Sequence, residues 1–452
     1  MNKIFSRLAL LLAFVLVVTA CGSDDDAGDG GDSGATTTAA DSGDTGDTTA
    51  SGECDITLRW IFGGVANESS QELAATYEER NPGICVELIE GPNSATDLFG
   101  TYLQTFEAQS SELDVLNIDV IWPGDLAEHL VDLNQYGAAD VTGDHFSAIV
   151  DNNTVDGELK GIPYYTDAGL LYSRSDLLEK YGYDGPPATW DELEEMAATI
   201  VEGESADNPD FVGFVWQGNA YEGLTCDALE WVKSHGGGEI VEDGVITINN
   251  PNAIAAIDRA ASWIGGISPE GVTGWTEEDS RAVWQAGNAA FHRNWPYAYS
   301  LAQADDSAIK GLVTVSPLPA GPDGSPAGTL GGWQLAVSKY SEHPQEAADL
   351  ALFLASEEGQ KKNAVEVSLL PTIESLYQDA DVLEANPFFG DLFDVFTNAV
   401  ARPSTVTAPN YNETSVAFFN AVHSVLTGEN DAQTAIEELE LDLEDITGLP
   451  SS

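Results

Sequence analysis

Two acidic residues that lie within strand-like segments are the first candidates for chemistry in this sequence. Asp119 lies in the apolar run 115–121, and Asp167 lies in the strand-like segment 161–172. Two carboxylates that flank a glycosidic bond could serve a glycoside hydrolase, and carboxylates also accept charge-assisted hydrogen bonds from ligand hydroxyl groups. Taken alone, either residue could instead cap a helix.

Aromatic side chains and one arginine would complete a site for a ligand rich in hydroxyl groups. Trp295, Tyr297 and Trp333 could stack against the C–H faces of sugar rings. Arg402 could donate hydrogen bonds to hydroxyl groups, although it could equally pair with any of the 76 acidic residues. Taken alone, each Trp fits a packed core and Tyr165 fits a half-buried strand. The glycine pair at 331–332 would by itself indicate only a turn or a bulge.

Strand and helix patterns alternate along the first part of the chain. They occur in the order strand, helix, strand, helix and strand at 55–62, 69–80, 85–89, 95–110 and 115–121. This alternation predicts βαβ units and a parallel sheet, and in open sheets of this kind ligands bind beyond the carboxyl ends of the strands. We therefore expect the loops after these strands to face a ligand, at 63–68, 91–97 and 119–125.

The later part of the chain predicts a second unit of the same kind. A new alternation begins near residue 161, and Thr189 with Glu192 forms a capping-box pattern at a helix start. The chain beyond its N-terminal segment is longer than one core usually fills, so two lobes are expected. Strand-like runs at 312–316 and 333–338 indicate a return to the first lobe. The predicted division is 54–165 with 308–340 for lobe 1, and 166–307 with 341–452 for lobe 2.

The N-terminus has the pattern of an export signal. A short basic region precedes an apolar run at 8–18, which is too short to span a bilayer because that needs about 20 residues. The run ends at Cys21 in a sequence that resembles the lipobox of bacterial lipoproteins. We therefore expect 1–20 to be a signal peptide, Cys21 to be lipidated, and the acidic Gly/Ser/Thr/Asp-rich remainder of 21–53 to be a disordered stalk. An ordinary cleavage site with an incidental cysteine is the alternative.

The composition excludes some partners. The chain has 76 acidic and 16 basic residues, for a formal net charge of −60. Such a surface should repel nucleic acid and bind anionic ligands poorly, so no nucleic-acid partner is expected. The six His are scattered and no Cys/His spacing resembles a zinc site, so neither a metal nor a cofactor is expected.

Three cysteines remain after Cys21. Cys54 and Cys85 each open a short apolar run. If those runs are adjacent parallel strands, the two sulfurs lie at the same end of the sheet, and an exported location permits a disulfide between them. Cys226 lies in a helical pattern and is expected to be a buried free thiol.

Several motifs together resemble one known family. The segments 161–178 and 186–193 resemble the family 1 extracellular solute-binding proteins of carbohydrate ABC importers. The resemblance is closer to the trehalose/maltose-binding branch, through the segments 213–218, 221–224, 287–298, 330–333, 338–341 and 398–403. It covers essentially all of 54–440.

The resemblance implies an α/β protein of the two-lobed periplasmic-binding-protein fold, with a mostly parallel sheet flanked by helices in each lobe and the ligand in the cleft. It implies a binding protein, not an enzyme, that closes by a hinge on a glucose-containing disaccharide and delivers it to ABC permease transmembrane subunits. We expect a monomer, held by its N-terminal lipid on the outer face of the cytoplasmic membrane. Matched motif by motif, the ligand-binding residues would be Glu68, Asp119, Tyr165, Asp167, Trp295, Tyr297, Gly331, Gly332, Trp333 and Arg402.

The chain departs from the archetypal members at Asp97, which opens the segment where they place an arginine that touches sugar. This weakens the transfer of an exact sugar preference. Two alternatives stay open: an exported glycoside hydrolase that uses Asp119 and Asp167, or a protein of the same fold for another polyol, oligosaccharide or glycerol phosphate. Phosphate would need several basic residues in the cleft, and only Arg402 is evident. Second-rank aromatic candidates, better explained by packing, are Trp122, Tyr164, Trp216 and Tyr221.

Overall fold

The apolar strands of the chain form two main sheets, and each is the centre of one lobe. The structure, a computed structural model, describes residues 54–64, 67–322, 324–397 and 399–452. The predicted signal peptide 1–20 and the segment 21–53 with Cys21 lie outside the described residues. The strands are β1 (Ile56–Gly63), β2 (Ile84–Gly91), β3 (Val115–Asp119), β4 (Thr154–Val155), β5 (Glu158–Leu159), β6 (Ile162–Ala168), β7 (Leu170–Arg174), β8 (Val212–Val215), β9 (Val241–Glu242), β10 (Val245–Ile246), β11 (Ala289–Asn294), β12 (Val313–Ser316) and β13 (Leu330–Val337).

The first sheet has the strand order β2-β1-β3-β13-β6. β1 pairs in parallel with β2 and β3, whereas β13 runs antiparallel to both β3 and β6. One strand, β13, therefore runs against the others. The parallel part confirms the βαβ pattern predicted from the alternation of strands and helices.

The second sheet has the strand order β12-β7-β11-β8. Here β7 is the reversed strand, because it is antiparallel to β11 and β12 while β11 and β8 are parallel. Four tryptophans share the core of this lobe, with contacting ring centroids between 5.0 and 6.3 Å apart: Trp190, Trp216, Trp231 and Trp263. Trp216 is therefore a packing residue.

Helices cover both sheets. The helix over Trp190–Glu204 begins with the predicted capping box, in which Thr189 Oγ1 accepts from Glu192 N at 3.2 Å and Glu192 Oε2 accepts from Thr189 N at 3.3 Å. No helix in the described part of the chain is long and apolar enough to cross a bilayer. Short 3-10 helices occur at Ala127–His129, Leu133–Tyr136, Ala138–Asp140, Thr142–Asp144, Glu270–Gly274 and Glu374–Gln378. The α-helices are α1 (Glu68–Arg80), α2 (Ala95–Glu107), α3 (Pro123–Leu126), α4 (Ser147–Asn152), α5 (Ser175–Tyr181), α6 (Trp190–Glu204), α7 (Glu222–Ser234), α8 (Pro251–Trp263), α9 (Glu277–Gln285), α10 (Ala298–Ala302), α11 (Pro344–Leu354), α12 (Glu357–Val367), α13 (Ala380–Ala385), α14 (Phe388–Asp391), α15 (Phe393–Thr397), α16 (Ser404–Thr407), α17 (Tyr411–Leu426) and α18 (Ala432–Thr447).

The chain crosses from one lobe to the other at Gly169. This residue separates β6 of the first sheet from β7 of the second sheet. A Cβ at Gly169 would lie 1.8 Å from Glu230 Oε1 and 2.7 Å from Arg293 Nη2, so only glycine fits at the crossing. The chain returns between β12 and β13.

The predicted lobe division is wrong at three places. It begins lobe 2 at residue 166, but β6 of the first sheet extends to Ala168. It assigns 308–340 to lobe 1, but β12 pairs with β7 in the second sheet. It assigns 341–452 to lobe 2, but α11 packs on the first sheet, where Leu354 shares a core with Val337, and α12 packs against α1. The reason is that apolar periodicity identifies a strand or a helix but does not say which sheet it joins.

The disulfide follows from the pairing of the first two strands. β1 and β2 lie side by side with Thr57 opposite Cys85, and Cys54 lies just before β1. The structure joins Cys54 to Cys85, with their Cα atoms 5.8 Å apart, and leaves Cys226 as a buried free cysteine. The bridge ties the start of the first lobe to its edge strand.

We predict one reactive thiol in a protein that begins at residue 54, purified without reductant and then denatured. Cys226 would supply that thiol because the other two cysteines are bridged. Cys54→Ser should expose a second thiol and lower the free energy of unfolding by about 3–4 kcal/mol, the chain-entropy effect of a closed loop of this length. Thiol titration and chemical denaturation measure both. Three thiols in the unchanged protein would refute the bridge.

Candidate ligand-binding site

A cavity of about 590 Å³ is lined by residues of both lobes. Its walls combine carboxylates, aromatic rings and glycine backbone. All but one of the predicted ligand-binding residues line it: Asp119, Tyr165, Asp167, Trp295, Tyr297, Gly331, Gly332, Trp333 and Arg402. The sequence-based selection therefore converges on a single place in the fold.

The register of β13 assembles the first-lobe wall. Trp333 is opposite Asp119 of β3 on one side and opposite Tyr165 of β6 on the other, while Gly331 is opposite Asp167. Residues opposite each other on neighbouring strands, and residues two apart on one strand, project from the same face of a sheet. Three strands thus bring these side chains to one surface.

The two glycines in β13 allow the walls to approach closely. A Cβ at Gly331 would lie 3.0 Å from Asp167 Cβ and 3.0 Å from the Trp295 ring. Gly332 has a φ of +118°, and a Cβ there would lie 2.6 Å from the carbonyl oxygen of Tyr165. A side chain at either position would displace a lining residue or strain the backbone.

Two indole rings form apolar parts of the wall. Trp333 is half-buried and packs edge-on against Trp122, with ring centroids 5.6 Å apart and planes at 88°. Trp295 is also half-buried, and the guanidinium carbon of Arg293 lies 4.0 Å from its ring centroid. Both rings keep surface that a sugar ring could cover.

The second lobe contributes three lining carboxylates that the sequence-based selection missed: Glu222, Glu277 and Glu278. Glu277 and Glu278 open α9 and line the cavity. Glu277 accepts from Tyr221 Oη at 2.5 Å and from Trp295 Nε1 at 3.2 Å, and Glu278 accepts from Tyr297 Oη at 2.7 Å. The aromatic residues therefore fix these carboxylates as well as offering their own surface.

A buried charge network joins the lobes beside the cavity. Arg402 Nη2 donates to Asp119 Oδ1 at 2.6 Å, and Arg402 Nη1 donates to Glu222 Oε1 at 2.8 Å and to Asp119 Oδ2 at 3.2 Å. Asp119 belongs to lobe 1 and Glu222 opens α7 of lobe 2. Burial raises the pKa of Glu222, and the Arg402 guanidinium opposes that shift.

The network has further members on α17. Tyr411 Oη donates to Glu222 Oε1 and Ser415 Oγ donates to Glu222 Oε2, each at 2.6 Å. The resemblance implied that Arg402 donates hydrogen bonds to the ligand. In the structure both of its Nη atoms donate to protein acceptors and so position the carboxylates of Asp119 and Glu222, whereas its Nε has no hydrogen-bond partner among the described residues. A direct contact between Arg402 and the ligand stays a prediction.

Asp167 differs from the other carboxylates of the site. It is only 7% exposed, and its Oδ1 has no hydrogen-bond partner among the described residues. Burial raises the pKa of Asp167 well above its usual range and the Asp119 carboxylate adds to the shift, whereas Arg293 and Arg402 oppose it. A ligand that donates a hydrogen bond would satisfy this carboxylate.

Glu68 is the selected residue that does not line the cavity. It is exposed in the first turn of α1, whereas Asn67 before it and Ser70 after it do line the cavity. Successive residues of a helix point in directions about 100° apart. The side chain of Glu68 therefore points away from the cavity, and Asn67 and Ser70 line it instead. Of the second-rank aromatics, Tyr164 and Tyr221 line the cavity and Trp122 does not.

The arrangement offers hydrogen-bond acceptors and apolar ring surface within a partly enclosed space, which is the chemistry of a binding pocket. Among the described residues, no group of three or more His, Cys, Asp and Glu side chains could hold a metal ion. The sequence model of one protein family, the bacterial extracellular solute-binding proteins, matches residues 63–361 of this chain. The chain belongs to this family. It is therefore an extracytoplasmic solute-binding protein and not an enzyme, and the hydrolase alternative is wrong.

Known proteins agree with this assignment. A "Probable ABC transporter-binding protein" of Deinococcus radiodurans is 53% identical over 370 residues, which is 82% of this chain and 88% of the relative. The structure of maltose-bound T. maritima MalE3 is 41% identical and superposes with a TM-score of 0.82 over 86% of this chain and 99% of that chain. A tagatose-bound ABC transporter solute-binding protein of Thermotoga lettingae is 25% identical, with a TM-score of 0.77 over 87% of this chain and 100% of that chain. The chain is a solute-binding protein of the ABC-transporter, sugar-binding type.

We predict that Arg402→Met lowers the free energy of unfolding by about 3–5 kcal/mol, because Asp119 and Glu222 would stay buried without a counter-charge. Chemical denaturation of the ligand-free protein measures this. Arg80→Met is the matched control, since it breaks an exposed two-point pair with Glu358 and should change little. Equal effects of the two substitutions would show that the buried network does not stabilise the fold.

Proposed function

We propose that this protein captures a glucose-containing disaccharide of the trehalose or maltose type, closes around it by a hinge motion and delivers it to the transmembrane subunits of an ABC importer. The observation that carries the proposal is the cavity in which carboxylates and aromatic rings of both lobes converge. A ligand there touches both lobes at once, which is the requirement for ligand-driven closure.

The chemistry of the cavity supports a hydroxyl-rich ligand that is not anionic. Disaccharide hydroxyls donate hydrogen bonds, and Asp167 and Glu277 offer acceptors from lobe 1 and lobe 2. Sugar rings present weakly apolar C–H faces, which Trp295 and Trp333 can cover. The volume of about 590 Å³ lies within the usual range of small-molecule sites.

The relatives support a sugar and leave its identity to experiment. T. maritima MalE3, at 41% identity, is described with bound maltose, and the T. lettingae protein, at 25% identity, with α-D-tagatose. A Bacillus subtilis relative that is 22% identical over 291 residues is named maltodextrin-binding protein. A polyol or a longer oligosaccharide bound in the same cleft is the second candidate.

The proposal includes a lipid anchor at Cys21, with 1–20 removed as a signal peptide and 21–53 as the tether. The lipobox-like sequence before Cys21 supports it. A monomer tethered in this way on the outer face of the cytoplasmic membrane would stay close to its permease. The mass of the mature protein, compared with that of Cys21→Ser, tests the lipidation.

The experiment that tests the function is a thermal-shift panel of trehalose, maltose, maltotriose, mannitol and glycerol 3-phosphate, followed by solution scattering. A disaccharide should raise the melting temperature by mass action and, at saturation, reduce the radius of gyration. A sugar that shifts the melting temperature without changing the radius of gyration would argue against hinge closure. A response to mannitol alone would favour the polyol alternative.

We predict that Trp333→Ala weakens disaccharide binding about tenfold or more, because the ligand loses an aromatic contact surface. Ligand-free stability should change little, since Trp333 is only half-buried. Calorimetry with trehalose and maltose and melts of the ligand-free variants measure both effects.

Trp122→Ala is the control for this substitution. Trp122 is 2% exposed and lies behind Trp333, so its truncation should cost about 3–5 kcal/mol of stability. If Trp333→Ala lowered ligand-free stability as much as Trp122→Ala and left the affinity intact, Trp333 would be a packing residue.

A further inference from the structure

The two arginines at the cavity, Arg402 and Arg293, already form ion pairs with carboxylates. Arg402 lies within 4.0 Å of Asp119 and Glu222. The buried Arg293 behind Trp295 lies 2.9 Å from Asp227 and 2.5 Å from Glu230. Each arginine therefore faces two acidic groups before any other carboxylate of the site is counted.

Two lining carboxylates have no basic partner. Among the described residues, no Lys, Arg or His nitrogen lies within 4.0 Å of the carboxylates of Asp167 or Glu277. Asp167 is more than nine-tenths buried and its Oδ1 lacks a hydrogen-bond partner. Glu278 differs, because it pairs with Arg281.

Trp295 connects these two carboxylates. Its ring and Asp167 Cβ each lie 3.0 Å from the point where Gly331 would carry a Cβ, and its Nε1 donates to Glu277. One aromatic surface with a carboxylate at each end therefore runs from lobe 1 to lobe 2. Among the described residues that line the cavity, Arg402 is the only basic one. Asp97, where the chain departs from the family pattern, lies outside the lining.

We propose that this cavity prefers a saccharide that carries a protonated amine, bound against Asp167, over the neutral parent saccharide. The inference deepens the proposed function and rests on it, because it concerns the ligand of the same cleft. An ammonium group takes the place of a hydroxyl group at similar size, donates up to three hydrogen bonds and brings the missing positive charge.

The physical reason is the cost of burying a carboxylate without a counter-charge. A hydroxyl group satisfies one acceptor but leaves the charge, whereas an ammonium group does both. Burial raises the pKa of Asp167, and a cationic ligand would favour its ionised form again. The face of Trp333 also attracts cations, whereas Arg293 already lies over the ring of Trp295. An anionic saccharide meets net repulsion, because the lining carries five carboxylates and Arg402, which is already paired with two of them.

The test is calorimetry at about pH 6.5, where a primary amine is largely protonated. The probes are trehalose, its derivatives with an amine in place of the hydroxyl at C2 or at C6, and trehalose 6-phosphate. At least one amine derivative should bind about tenfold or more tightly than trehalose, and the phosphate more weakly than trehalose. Asp167→Asn should remove the preference for the amine.

Asp97→Asn is the matched control, because it removes an exposed carboxylate that does not line the cavity. It should keep the preference for the amine. The inference would be overturned if no amine derivative bound more tightly than trehalose, or if Asp167→Asn kept the preference for the amine. Either result would leave the proposed binding of a sugar intact. Binding of none of the saccharides would overturn the proposed function as well. If Asp167→Asn does not fold, the comparison of amine and parent in the unchanged protein still decides.

Discussion

The buried contact of Arg402 with Asp119 and Glu222 is the interaction on which the arrangement of the site depends. Its members come from three distant segments: the end of β3 in lobe 1, the first turn of α7 in lobe 2, and the stretch before α16. Taking these charges out of water is costly, and only well-directed hydrogen bonds offset that cost. Both Nη atoms of Arg402 donate, and Tyr411 and Ser415 complete the shell of Glu222. The positions of β3, α7 and the start of α17 are therefore coupled, and the cavity wall lies where they meet.

The two halves of the site are built differently. In lobe 1 the reversed strand β13 lies between β3 and β6, and its register alone sets the relative positions of Trp333, Tyr165 and Asp167. A slip by one residue would turn Trp333 to the other face of the sheet, so the hydrophobic pattern that fixes the register also fixes the site. In lobe 2 the lining side chains come from the first turns of α7 and α9 and from the segment after β11. In lobe 2, hydrogen bonds from Tyr221, Trp295 and Tyr297, rather than strand register, hold the lining carboxylates in place.

The sequence predicts most of the elements and much of the site, for identifiable reasons. Strand and helix periodicity located β1, α1, β2, α2 and β3 to within a few residues, because their apolar patterns are regular. Motifs that resemble the family selected Asp167 and Trp333, which line the cavity. Glu277 was missed because one carboxylate among 76 acidic residues carries no local signal, and only the approach of Tyr221 and Trp295 distinguishes it. The placement of β12 and α11 was wrong because the choice of sheet is a long-range property of packing.

The acidic character of the chain acts differently outside and inside the fold. On the surface, water and salt screen the carboxylates, so a net charge of −60 mainly affects solubility and long-range repulsion. In the cavity the same groups lose that screening, and the arginines nearby already face two acids each. If the lobes close as proposed, closure without a ligand brings Asp167 and Glu277 into a common low-dielectric space, where neither carboxylate has a basic partner and Asp167 Oδ1 has no hydrogen-bond donor among the described residues. A ligand that donates hydrogen bonds to both removes that penalty, so occupancy and closure are favoured together. The carboxylates that select the ligand would then also keep the empty protein open, and a permease that recognises the closed form would meet mostly loaded protein.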